Sequence, residues 1–185
     1  MADPLDELGR SVTRAVRFLR EVFGDVVQMF EALDGLMADQ GWRPTEKTRL
    51  SYGLSNGMDP TGWVADCLFR FYFLAATGTP FLKVIGFVVR CVPDAGYDQP
   101  VMLGVAAHFP AATDWVTVYN AWKSSGPAIE GLAATPGPRL LTADEADPLI
   151  PGAESVVGLT VPVCRLTAAA QLRSAVVDHL LAAVV

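Results

Sequence analysis

The chain has 185 residues and a formal net charge of −6; hydrophobic residues make up 51% of it and charged residues only 18%. This length suits a single domain, and a charged share below the usual ~25% indicates that some apolar surface is covered by a partner or in an oligomer. The acidic balance disfavours general nucleic-acid binding. The richest apolar run, residues 81–92, contains Lys83 and Arg90 and is too short to span a membrane.

The sequence carries no pattern typical of export, disulfide formation or metal binding. Residues 1–10 lack the basic-then-apolar order of a signal peptide, so a cytoplasmic location is expected. The cysteines lie far apart in apolar segments, at Cys67, Cys91 and Cys164. Such an arrangement is typical of buried, reduced thiols. The two histidines, His108 and His179, show no metal-ligand spacing, and we expect neither a metal nor a cofactor.

An amphipathic pattern runs through a predicted helical segment over residues 1–41. Apolar residues follow alternating steps of three and four in a heptad-like stripe: Leu5, Leu8, Val12, Ala15, Leu19, Val22, Val26, Met29, Leu33 and Leu36. A second row widens this face: Val16, Phe23, Phe30 and Met37. The width favours packing on a sheet or in a bundle over an isolated coiled coil. Gly24–Asp25 leaves two alternatives open, one bent helix or two consecutive helices ending near Gln40–Gly41.

The same segment supplies the first candidate interaction residues. Leu19, Val26 and Leu33 lie on the stripe, and their heptad-like spacing indicates contact with a protein partner or a second copy. A row of arginines lies on the same segment: Arg10, Arg14, Arg17 and Arg20. We expect these to form a solvated row that pairs with Glu7 and Glu21, because charged helix faces are usually just solvated.

Residues 48–110 predict antiparallel strands joined by turns. The four strands are predicted at residues 49–55, 63–73, 81–92 and 101–109. The second alternates, with phenylalanines on one side and Arg70 and Tyr72 on the other, whereas the third is apolar on both faces as in a central strand. One face of the fourth is nearly bare of bulk, with Gly104, Ala106 and His108. A helix is expected to approach closely there.

The C-terminal half predicts two further helices and one more strand. Residues 113–125 form an aromatic helix whose Trp115, Tyr119 and Trp122 are candidate interaction residues, since aromatic side chains often anchor interfaces. The other predicted segments are a Gly/Pro-rich loop, a strand and a C-terminal helix, at residues 126–152, 154–166 and 167–185. Pro162 indicates that this strand lies at an edge or carries a bulge.

One motif suggests catalysis. Residues 53–57, GLSNG, fit the G-x-S-x-G pattern of a hydrolase nucleophile elbow with Ser55 as the nucleophile. That elbow requires a helix directly after the serine, whereas Asn56–Gly57 is typical of a hairpin turn. The remaining base, His179, lies within the predicted C-terminal helix instead of on a loop. We therefore expect Ser55 at the end of a strand that enters a turn.

These patterns predict an α+β fold with a four- to five-stranded, mainly antiparallel sheet, a long N-terminal helical segment and a C-terminal helix. The first functional hypothesis is a non-catalytic protein-interaction module: a subunit, adaptor or chaperone-like partner of a larger cytoplasmic assembly, with a protein partner or as a homo-oligomer. A small-ligand sensor or binding domain is the alternative. A serine hydrolase that uses Ser55 and His179 is the third.

Overall fold

The structure is a computed structural model that describes residues 4–45, 67–74, 81–90, 99–113, 115–124 and 137–184. Its α-helices are α1 (Pro4–Ala38), α2 (Trp115–Ser124), α3 (Ala143–Ala146), α4 (Ala169–Leu172) and α5 (Asp178–Val184). A 3₁₀ turn (Val163–Arg165) precedes α4, and a π-helical turn (Arg173–Val177) joins α4 to α5. The strands are β1 (Trp42–Pro44), β2 (Cys67–Leu74), β3 (Phe81–Arg90), β4 (Val101–Thr113), β5 (Arg139–Leu140) and β6 (Ser155–Pro162).

The described strands form one antiparallel sheet in the order β1-β2-β3-β4-β6-β5. With a long N-terminal helix and a C-terminal helix, this confirms the predicted α+β fold, although the sheet has six strands instead of four or five. Two short strands were not predicted: β1 directly follows α1, and β5 lies inside the segment 126–152 that was expected to be a loop. The predicted strand at 49–55 lies outside the described residues.

α1 is a single helix of 35 residues, so the chain does not divide at Gly24–Asp25. Glycine in a helix interior costs about 1 kcal/mol relative to alanine, and the helix-forming residues on both sides of Gly24 outweigh that cost. The helix ends at Ala38 and the chain turns at Gly41, whose φ of +80° is a left-handed conformation that favours glycine. The N–H of Gly41 donates to the carbonyl oxygen of Ala38 at an N–O distance of 2.9 Å. The chain then enters β1.

Each face of the sheet is covered by a separate group of helices. On one face, buried residues of α1 pack with β1–β4 and with α4 and α5 around Tyr72, Ile85 and Met102. On the other face, Val118 of α2 and residues of the segment 141–150 pack with the phenylalanines of β2 and with β4. The N-terminal and C-terminal helices therefore share one face, and the alternation predicted for β2 is confirmed.

The C-terminal helix approaches the sheet closely at Gly104. A Cβ atom added to this glycine would lie 2.6 Å from Cδ1 of Leu180 and 3.3 Å from Cγ1 of Val176. Both of these residues are fully buried. The close approach expected over the bare face of β4 is thus confirmed, and the absence of a side chain at position 104 makes it possible.

Two details concern the C-terminal half, where Pro162 was expected at an edge or a bulge. Pro162 lies at the end of β6, where it pairs with Val101 of β4 and lies beyond the two residues of β6 that pair with β5. Ala168 occupies the N-terminal cap position of α4 without a side-chain cap. The hydroxyl of the preceding Thr167 donates to Oε1 of Gln171 at 2.8 Å.

Candidate interaction surface

The N-terminal half of α1 exposes a row of large apolar side chains. Their exposed fractions lie between 46% and 74%, whereas Val26, Phe30, Leu33 and Met37 of the same helix are at most 3% exposed. The exposed side chains are Leu5, Leu8, Val12, Val16 and Phe18, which we call the overhang face. α1 therefore has two parts: a C-terminal half in the core and an N-terminal half that extends beyond it.

The overhang face continues the helix face that packs on the sheet. Steps of four, seven and seven residues lead from Leu8 through Val12 and Leu19 to the buried Val26. Steps of this kind keep side chains on one side of an α-helix. Leu19 lies at the boundary and is half-buried. Of the predicted interaction residues on the stripe, Val26 and Leu33 belong to the protein's own core and are not available to a partner.

Charged side chains of α1 pair on the side of the helix away from Leu5, Val12 and Val16. Nη2 of Arg10 donates to Oε2 of Glu7 at 3.0 Å, and Nη2 of Arg14 lies 3.5 Å from Oε1 of Glu7. Glu7 and Arg14, whose backbone positions are about two turns apart, thus share one side of the helix. All three side chains are more than half exposed, so water screens these pairs.

A groove adjoins the overhang face. It has a volume of about 540 Å³ and lies between the middle of α1 and the 3₁₀ turn and start of α4. Its apolar lining includes Val22 and Met29 on one side and Val163, Leu166 and Leu172 on the other. Helical spacing places Phe18 on the same edge of α1 as Val22 and Met29, so the overhang face leads into the groove.

A polar contact fixes α1 on the sheet. Nε and Nη2 of Arg70 donate to Oδ1 and Oδ2 of Asp34 at 2.6 and 2.5 Å, and the hydroxyl of Tyr72 donates to Oδ1 at 2.7 Å. Burial raises the pKa of the Tyr72 hydroxyl, and its hydrogen bond to Asp34 raises it further. Burial alone would lower the pKa of Arg70, but the hydrogen bond and charge of Asp34 raise it above its ordinary value. Arg70 therefore stays charged. The contact of Asp34 with Arg70 and Tyr72, which we call the anchor, holds the helix at a defined position on the sheet.

Sequence reasoning missed this anchor. The alternation of the second predicted strand assigned Arg70 only to one side of the sheet, and the structure pairs it with Asp34 of α1. One signal was present: Asp34 is four residues after Phe30 and three before Met37, at the margin of the buried stripe. A carboxylate there needs a partner from the opposing surface, and the alternation of β2 puts Arg70 and Tyr72 on the side that faces α1.

The structure describes the other predicted site residues only in part. α2, which carries Trp115, Tyr119 and Trp122, packs on the opposite face of the sheet, and the side chains of these three lie outside the described part. Their role stays a prediction. Ser55 also lies outside the described residues, whereas His179 is exposed on α5. His108 is not fully buried: its Nδ1 lies 3.3 Å from Oε2 of Glu154 at the surface.

Within the described ranges, no three His, Cys, Asp or Glu side chains are arranged to hold a metal ion. None of the helices described is both long and apolar enough to cross a bilayer. Cys164 was expected to be buried but is exposed, and its Sγ donates to Oε1 of Gln99 at 3.2 Å.

Comparison with models of known protein families, with curated proteins and with solved structures finds no match.

Proposed function

We propose that the protein is a non-catalytic protein-interaction module, a subunit, adaptor or chaperone-like partner of a larger cytoplasmic assembly. Its contact surface is the overhang face. The observation that carries this proposal is the exposure of five large apolar side chains on the N-terminal half of α1, four of them on the side of the helix that is buried in its C-terminal half. Contiguous apolar surface of this kind marks sites where proteins bind other molecules.

The size of the surface supports this proposal. Side chains of this size, half to three-quarters exposed, present roughly 500 Å² of apolar surface, taking about 150–200 Å² for each when fully exposed. That is about the largest apolar patch expected on a monomer, and such patches are often functional. Burying this surface against a partner stabilises the complex, because each Å² of apolar surface taken from water contributes about 25 cal/mol of favourable free energy.

The rigidity of the helix also supports a binding role. α1 continues without interruption from the anchored segment around Asp34 to Pro4. A binding surface that is already folded loses little conformational entropy when a partner docks, which improves its affinity. A helix that lays its apolar side against a partner is a common mode of recognition, and its anchors recur at steps of three and four.

Affinity purification from the native host tests the proposal with three baits. These are the wild-type protein, Val12→Glu on the overhang face, and Arg17→Glu as a larger charge change on another side of the same helix. We expect a partner to be captured by wild type and Arg17→Glu but not by Val12→Glu. The captured protein is then purified and its binding measured with all three baits. Equal binding by all three would show that the overhang face is not the contact surface.

The groove favours a second candidate, a small-ligand binding domain. Its volume of about 540 Å³ lies within the range of ligand pockets, which are mostly apolar with a few polar groups. Asp25, Gln28 and Thr167 supply polar atoms at its margin. A thermal-shift screen with apolar metabolites tests this candidate, with Met29→Asp as the control. A ligand that stabilises wild type but not the variant would favour it, and no shift with any compound would count against it.

A further inference from the structure

We draw no further inference here: the strongest candidate, the overhang face on the N-terminal half of α1, is the contact surface already proposed, and nothing among the described residues shows what covers it.

Discussion

Asp34 on α1 accepts two hydrogen bonds from Arg70 on β2, one from Nε at 2.6 Å and one from Nη2 at 2.5 Å. The hydroxyl of Tyr72, two residues further along the strand, donates to the same carboxylate at 2.7 Å. One side chain thereby joins the helix to the strand at a single point. This contact determines how α1 lies on the sheet and so the direction in which the overhang face projects.

Removing the carboxylate should destabilise the protein more than removing the whole contact. Asp34→Ala leaves the fully buried Tyr72 hydroxyl and the Arg70 guanidinium without their acceptor, and we expect the free energy of unfolding to fall by about 2–3 kcal/mol. The triple variant Asp34→Ala/Arg70→Met/Tyr72→Phe should recover part of this loss. Urea denaturation measures both. A triple variant less stable than the single one would contradict this explanation.

Stability should fall in alkaline solution because of Tyr72. Burial and the hydrogen bond to Asp34 raise the pKa of this hydroxyl above its ordinary value of 10.0. Below pH 10 it is protonated in both the folded and unfolded states; above it, the unfolded state ionises first and the free energy of unfolding decreases. Denaturation of wild type and Tyr72→Phe between about pH 8 and 11 should show a steeper loss for the wild type. Parallel curves would show that Tyr72 makes no such contribution.

Two leucines on one helical stripe should respond oppositely to truncation. Leu33 has no exposed surface, so Leu33→Ala should lower the free energy of unfolding by about 2–5 kcal/mol through a cavity in the core. Leu8 is 61% exposed, so Leu8→Ala should change it by less than about 0.5 kcal/mol in dilute protein. Urea denaturation at low protein concentration measures both. A large loss for Leu8→Ala in monomeric protein would mean that the helix packs on its own chain there.

Substitutions at Gly104 and Gly24 should change the stability of the protein in opposite directions. Gly104→Val forces a side chain into the space that Leu180 occupies, and we expect a loss of about 1–3 kcal/mol from overpacking. Around Gly24, a Cβ meets nothing within 4 Å, so Gly24→Ala should stabilise α1 by about 0.5–1 kcal/mol. Thermal unfolding compares both variants with the wild type. Stabilisation by Gly104→Val would show that α5 does not pack against this strand.

The sequence predicted the parts of the fold that depend on repeating patterns. The alternation of β2 and the bare face of β4 each reflect a local rule of side-chain geometry, and both predictions were confirmed. The short strands β1 and β5 are held by pairing with long neighbours, at β2 and β6, and two or three residues carry too little pattern to predict them. The anchor at Asp34 depends on contact between residues 36 positions apart in sequence.

The candidate surface shows a second limit of prediction from sequence. Leu8 and Leu33 occupy equivalent positions in one uninterrupted stripe, and nothing in the local sequence distinguishes them. The structure separates them because the sheet and α4 cover only the C-terminal half of α1. The stripe therefore predicted an interaction surface, and its available part is Leu5 to Phe18 instead of Val26 and Leu33.

Amide hydrogen exchange along α1, followed by mass spectrometry with and without the partner captured by the wild-type bait, tests the central claim most directly. With the proposed contact at the overhang face, residues 5–18 should become more protected when the partner is added. Residues 26–37, which lie in the core, should exchange slowly in both samples. Exchange in residues 5–18 that is the same with and without the partner would contradict the proposed contact surface.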